Sequence, residues 1–352
     1  MLKPIHVGRH DPDNGIPENP NRPGAGTGIL TNSATRIGAA IHWRQTDRSW
    51  FAGFGGLSRD SALKISLTSG MILLTVALVV RLRLEFPLAD LARPLAFLTL
   101  LVACAVYYDR RGETRFVICL ASLAQVLAFV ACYTVLMYVT ASAALPLVDR
   151  SLVAFDAACG LQAPDVRAWA QAHPTIHLVL GWAYDTLLYQ LALIVILLGL
   201  LGDRRPLEVF VLRFMLGALL TLILFLFLPA EGPFSTYGFE PTESQARYLE
   251  HFRSLRSGER RLVSFEGAEG LITFPSFHAT WALLLALGYR HRPVLFVPLA
   301  ALNALVIVST MTTGWHYFAD VLGGLTVGLL AVRGVHWATP WLRRSELRIG
   351  NT

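Results

Sequence analysis

The sequence predicts an all-α bundle of membrane-spanning helices, and three observations carry that expectation. Of 352 residues, 54% are hydrophobic and only 15% are charged, where a soluble globular chain carries about 25% charged residues. The mean hydropathy is +0.50. The apolar residues fall into eight runs, most of them near the ~20 residues that a helix needs to cross a hydrocarbon core of about 30 Å.

In chain order, residues 1–61 read as a cytoplasmic tail with no continuous apolar core of signal-peptide length. Residues 11–27 are rich in Pro, Gly and Asn and predict disorder. Residues 37–54, with Trp43, Trp50, Phe51, Arg44 and Arg48, predict either a segment lying on the membrane surface or a plain flexible tail. The expected spans are 65–80, 88–108, 116–139, 176–201, 209–228, 274–288, 293–311 and 317–337, the first and sixth being short. This divides the chain into a tail (1–61), two helices (62–110), a six-helix core (111–338) and a second cytoplasmic tail (339–352). There is no internal repeat and no glycine-rich phosphate loop.

The connections give an orientation. One alternating set holds Arg110, Arg111 and Arg115, then Arg204 and Arg205, then Arg290 and Arg292, then Arg343, Arg344 and Arg348. Arg44, Arg48, Arg59 and Lys64 precede the first span. The positive-inside rule assigns this set, and both termini, to the cytoplasm. The opposite set, chiefly 140–175 and 229–273, is longer and mixed in sign, with Arg81, Arg83 and Arg93 as the exception in its first loop. The net charge of +6 is therefore an orientation signal and not a nucleic-acid signal. Cys104, Cys119, Cys132 and Cys159 show no paired spacing for a metal or a disulfide framework. Lys3 and Lys64 are the only lysines, an Arg-rich bias that points to a high-GC bacterial genome and so to a bacterial inner membrane, with the opposite face periplasmic.

Two segments on that outer face carry chemistry. Phe274-Pro275-Ser276-Phe277-His278 opens the sixth span. Proline suits a first helical turn, and a helix start attracts anions through its free N–H groups and dipole. Gly314-Trp315-His316-Tyr317-Phe318-Ala319-Asp320 opens the eighth span. The four-residue spacing of His316 and Asp320 predicts a shared helix face. There the carboxylate accepts Nδ1–H, fixes the tautomer and frees Nε2 as a nucleophile. The chain descends from His278 to Arg290-His291-Arg292, climbs to Met311 and turns back at His316, so both histidines belong at one face. Asp185, in Gly181-Trp182-Ala183-Tyr184-Asp185 of the fourth span, is a carboxylate that needs pairing, protonation or a function. The two readings are a structural hydrogen bond and the binding of a head group or acceptor hydroxyl.

Pro275-Ser276-Phe277-His278 resembles the second signature of the type 2 phosphatidic acid phosphatase superfamily, and Ser309 through His316 to Asp320 resembles its third. The longer string from Gly270 to Ala279, with Ser309-Thr310-Met311 and His316-Tyr317-Phe318-Ala319-Asp320, is similar to the branch holding the inositol phosphorylceramide synthases. The resemblance spans residues 116–337 and implies a six-helix core preceded by two extra N-terminal helices. It implies that His316 attacks phosphorus to form a phosphohistidine, that Asp320 orients it, and that His278 protonates the leaving oxygen and then activates water or an alcohol. It implies no metal and no cofactor. The partners implied are membrane lipids: a phospholipid or lipid-phosphate donor and a lipid or sugar alcohol acceptor.

The chain departs from the superfamily in two places. The first signature carries Lys and Arg near the end of the span before the long outer loop, whereas residues 225–233 hold no basic residue; the Arg that follows the third-signature serine is Thr310 here. The substitution at Thr310 is shared with the inositol phosphorylceramide synthase branch. The phosphate oxygens then need other partners, and Arg253, Arg256, Thr310, Tyr237 and Ser276 are the candidates beside Asp185. Head-group transfer is the expected activity, with lipid phosphate hydrolysis as the alternative. A transporter using Asp185 and the histidines, or a non-catalytic scaffold, are the remaining readings.

Overall fold

The computed structural model describes residues 59–338 apart from Phe86. The two tail segments at 11–27 and 37–54 and the arginines beyond residue 338 lie outside the described residues. Among the described residues, every element is helical except for one isolated parallel bridge between Glu85 and Leu262.

Among the described residues, six helices are long and apolar enough to cross a membrane. They are α1 (Arg59–Arg81), α2 (Leu88–Arg110), α3 (Thr114–Ser142), α8 (Arg204–Phe227), α12 (Pro293–Thr312) and α13 (Phe318–Ala338). Between α3 and α8 lie α4 (Asp149–Cys159), α5 (Ala163–Ala172), α6 (Pro174–Asp185) and α7 (Leu187–Leu200). After α8 come the single turn α9 (Pro233–Thr236), then α10 (Glu243–Ser257) and α11 (Phe277–Gly288). This is an integral membrane protein with a polytopic all-α architecture.

Two expected spans are corrected. Residues 176–201 are not one helix: α6 and α7 meet at Asp185–Leu187 with a bend of 47°. Thr186 Oγ1 donates to Ala183 O at 2.6 Å, Gln190 donates to Thr186 Oγ1 at 3.0 Å, and Asn303 of α12 donates to Gln190 at 2.8 Å. Such side-chain bonds compete with the helical ladder and hold a bend. The sixth span is also shorter than expected. With 12 residues, α11 is about 18 Å long at 1.5 Å per residue, too short for the hydrocarbon core, because residues 270–276 are spent on a non-helical approach to the site.

The core gathers around α8. Its apolar residues point all round, and Leu207, Phe210, Val211, Phe214, Met215 and Ala218 are buried. Helices α3, α11 and α13 pack against it, and α12 packs on α11 and α6. By contrast α1 and α2 leave Leu73, Val76, Val80, Leu95 and Leu100 exposed, as suits helices whose outer faces meet lipid. At the end opposite the histidines, Asp203 accepts from Arg292 at 2.5 and 2.9 Å and contacts His291 at 3.1 Å. The Arg292 hydrogen bond is the largest influence there, and it holds the Asp203 carboxyl below its ordinary value.

Candidate active site

Helix α11 begins at Phe277, with Ser276 as its N-cap: Ser276 Oγ accepts from Ala279 N–H at 3.2 Å. Pro275 therefore stands before the cap and not in the first helical turn, which corrects the sequence expectation. His278 is the second residue of the helix, so its ring is set by a regular backbone.

Helix α13 begins at Phe318, so His316 lies in the turn before it and does not share a helix face with Asp320. The two meet nonetheless. Asp320 Oδ2 accepts the Tyr317 N–H at 2.8 Å, a cap from inside the helix, and this brings His316 Nδ1 to 3.3 Å from the same oxygen. Gly314, at φ +80°, makes the turn, and His316 N–H donates to Thr310 O at 3.2 Å. Asp156 of α4 reaches in from beside the start of α13. Its oxygens accept Phe318 N–H and Ala319 N–H, both at 2.9 Å. Asp149, at the start of α4, accepts the Tyr317 hydroxyl at 3.0 Å and the Glu231 and Gly232 N–H groups at 3.0 and 2.9 Å.

The two helix starts are locked together. Ser276 N–H donates to Asp320 O at 2.9 Å, and Thr280 Oγ1 donates to Gly324 O at 2.8 Å. A Cβ at Gly324 would lie 2.2 Å from Ser276 O, so only glycine lets the backbones come this close. The result is a row of polar atoms. His316 Nε2 lies 3.4 Å from His278 Nδ1, and His278 Nε2 lies 2.9 Å from the Tyr184 hydroxyl. Burial, with the neighbouring His278, holds the His316 imidazole well below its ordinary pKa, which favours the neutral, nucleophilic form.

Both histidines open onto a cavity of about 470 Å³. Its lining includes His177, Tyr184 and Asp185 of α6, Thr242 and Ser244 at the start of α10, Glu269, Gly270, Ile272 and Thr273 before α11, and Thr313 and Trp315. No Lys or Arg is among these lining residues. Glu269 is held by Arg247 at 2.8 Å and by Ser244 at 2.8 Å. Arg167 of α5 stands beside the turn at Gly314 and over the Phe239 ring.

Of the residues expected to bind substrate, Asp185 lines this cavity. The other five are engaged elsewhere. Arg253 makes a two-pronged pair with Glu231 at 2.8 and 2.9 Å and also donates to Ser235. Burial pushes the Glu231 carboxyl up, but hydrogen bonds from Arg253 and Ser235 and the charges of Arg253 and Arg256 outweigh it, so its pKa is lowered. Arg256 donates to Leu145 O at 2.7 Å and lies over Phe252. Tyr237 stacks on Phe239 and packs beside Leu152 and Tyr317. Thr310 is fully buried, with its hydroxyl on Ile307 O, and the Ser276 hydroxyl is the helix cap.

Sequence reasoning passed over Tyr184, Asp149 and Asp156. Both aspartates sit in the short helix α4 with no motif around them. Their only signal was two carboxylates seven residues apart on the helix now seen as α4. Asp156 is fully buried, and burial raises its pKa although the two N–H donors work against this.

A family model described as the PAP2 superfamily matches residues 150–333, just over half of the chain. No curated protein matches, and no solved structure matches.

Proposed function

Because the chain belongs to the PAP2 superfamily, we propose that its facing histidines carry out phosphoryl transfer on a membrane lipid, by transfer of a phospho-head group to an alcohol. His316 Nε2 attacks phosphorus while the bond to the lipid oxygen breaks, and His278 Nδ1 delivers a proton to that oxygen. The phosphohistidine is then cleaved by an incoming hydroxyl whose proton returns to His278 Nδ1. Asp320 keeps the proton of His316 on Nδ1 and stabilises the positive charge that develops on the ring. General acid–base help of this kind is worth about 10²–10⁴-fold.

One observation favours head-group transfer over monoester hydrolysis. The cavity has hydroxyls and two carboxylates on its walls, Asp185 and the Arg247-paired Glu269, and no Lys or Arg among its lining residues. A phosphate monoester or a diphosphate brings about two negative charges at neutral pH, and a diester brings one. Each additional charge near a carboxylate costs on the order of a few kcal/mol at short range. A phosphodiester donor such as phosphatidylinositol, with a lipid or sugar alcohol as acceptor, fits such a lining. Asp185 is the side chain assigned to the polar head group or acceptor hydroxyl. The basic set around Arg204, Arg205, Arg290 and Arg292 supports a cytoplasmic location for the far end. In a bacterial inner membrane that turns the histidines to the periplasm, with both termini cytoplasmic.

The test compares purified protein with His316→Ala on a panel of phosphatidic acid, phosphatidylinositol and an isoprenoid diphosphate, with diacylglycerol or ceramide as acceptor. Mass spectrometry follows the products. A new head-grouped lipid made only by wild type is the expected result. Phosphate release made only by wild type would replace transfer with hydrolysis. Equal product from His316→Ala would remove the proposal.

A further inference from the structure

We infer that Tyr184 is a positioning residue for His278: its hydroxyl reserves Nε2, so that Nδ1 is the nitrogen that gives and takes the proton. The inference rests on the reading of His316 as the phosphoryl acceptor, and it adds a residue that neither motif contains.

The protons can be assigned from one end of the row. A carboxylate only accepts, so the 3.3 Å contact with Asp320 puts a proton on His316 Nδ1 and leaves Nε2 bare. Two bare nitrogens do not face each other at 3.4 Å, so His278 Nδ1 carries a proton whenever nothing lies between the rings. His278 Nε2 then faces a hydroxyl at 2.9 Å. A hydroxyl both donates and accepts. It donates to Nε2 of the neutral ring, and on rotation it accepts from Nε2–H of the imidazolium.

That dual role matches the proton traffic of the two half-reactions. The His278 imidazolium gives its Nδ1 proton to the leaving oxygen as the His316–phosphorus bond forms and the phosphorus–oxygen bond breaks. The ring is then neutral, with its remaining proton on Nε2 and donated to the Tyr184 oxygen. Nδ1, now bare, takes the proton of the incoming hydroxyl as the new oxygen–phosphorus bond forms and the nitrogen–phosphorus bond breaks. Tyr184 ends the cycle as it began. Without its oxygen, the imidazolium loses an acceptor and the neutral ring loses the group that keeps its proton off Nδ1.

The placement of Tyr184 is built into the fold. Its ring stacks on His278 with centroids 4.6 Å apart and 24° between planes. It lies one residue before the end of α6, at the 47° bend fixed by Thr186, Gln190 and Asn303. A straight helix through this region would direct the last turn of α6 differently. The titratable groups around His278 are His316 and Asp320 at the start of α13, His177, Tyr184 and Asp185 on α6, and Glu269 on the approach to α11. Of these, His316 and Tyr184 make direct hydrogen bonds to the His278 ring.

The experiment uses full-length protein with micellar phosphatidic acid and phosphatidylinositol, whose leaving group is in both cases diacylglycerol. Tyr184→Phe keeps the stacked ring and removes the oxygen. Its kcat is expected to fall about tenfold, a fraction of the usual acid–base contribution, with KM held within about twofold. The limb of the pH–kcat profile that needs protonated His278 is expected to move to lower pH, since a hydrogen bond to a charged donor is the stronger of the two it replaces. With a p-nitrophenyl ester, whose leaving group needs no proton, the loss is expected to shrink. If Tyr184→Phe does not accumulate, 3,5-difluorotyrosine at position 184 weakens the acceptor at nearly constant shape and is expected to shift the same limb the same way. An unchanged profile, or an equal loss for both leaving groups without displacement of the limb, overturns the inference and leaves Tyr184 a packing residue. Wild-type turnover by His316→Ala overturns the parent reading instead, whatever Tyr184→Phe does.

Discussion

The two helices that carry the site begin in different ways. The start of α11 is capped by its own chain, through Ser276, three residues from the N–H it satisfies. The start of α13 is capped at Tyr317 N–H by its own Asp320 and at the next two N–H groups from a distance, by Asp156 across 162 and 163 residues of sequence, with Asp149 holding the Tyr317 hydroxyl from 168 residues away. His278 therefore inherits its position from a regular helix, whereas His316 depends on a turn pinned by the short helix α4. The contrast teaches that the geometry of His316 is a tertiary property. Damage to α4 should reach the chemistry, and damage to the local cap of α11 should reach mainly stability.

Four substitutions break or sharpen that contrast. The largest effect is expected for Asp156→Ala. It leaves two N–H groups of α13 unpaired and frees the His316 turn, and a displacement of about 1 Å can cost about 10²-fold in rate. Steady-state kinetics on lipid micelles should show the loss in kcat, with Asp156→Asn recovering part of it through one remaining acceptor. Gly324→Ala comes next. Its Cβ would collide with Ser276 O and force the two starts apart. A destabilisation of about 1–3 kcal/mol is expected from overpacking, read by thermal unfolding in detergent, with a fall in activity as the histidines separate. Tyr317→Phe removes a hydroxyl that donates to Asp149 at 3.0 Å and contacts Thr236 at 2.6 Å. It should cost about 1 kcal/mol and lower kcat severalfold. The smallest effect on rate is expected for Ser276→Ala, which loses a cap worth about 1 kcal/mol and should keep kcat within about threefold. A collapse of activity in Ser276→Ala with an unchanged melting temperature would mean that the hydroxyl meets substrate, and the distinction between the two starts would then fail.

What could be read from the sequence was whatever is contiguous in it. The long apolar runs gave the six uninterrupted helices to within a turn, apart from the starts of α1 and α8, because hydrophobic length is a local property. The strings around His278 and His316 were visible for the same reason. The bend at Asp185 was hidden, since Leu187 to Leu200 continues the apolar run without a proline or glycine at the break. Its cause is a set of polar side chains that meet only after α12 has packed. The contacts of the loop arginines were hidden too, because Arg253 and Arg256 look free in sequence, and their partners Glu231 and Leu145 O are brought to them by folding. The carboxylates of α4 were invisible as functional residues because nothing near them in the chain says what they will cap.

The isolated bridge between Glu85 and Leu262 has a consequence for how this chain can change over time. Glu85, between α1 and α2, donates its N–H to Arg261 O and accepts from Val263 N–H, both at 3.0 Å. Both bonds are made by backbone atoms, which every residue but proline supplies. Asp90 adds a side-chain hydrogen bond to Ser264, and seven residues after Val263 the same strand of chain reaches Gly270 at the cavity wall. Helices α1 and α2, the first two of the three that precede the matched region, are thus fastened to the rim of the site by a joint that hardly depends on side-chain identity. Lineages could replace most of the residues around that joint and still inherit the attachment, so the accessory helices and the rim are expected to persist together or be lost together.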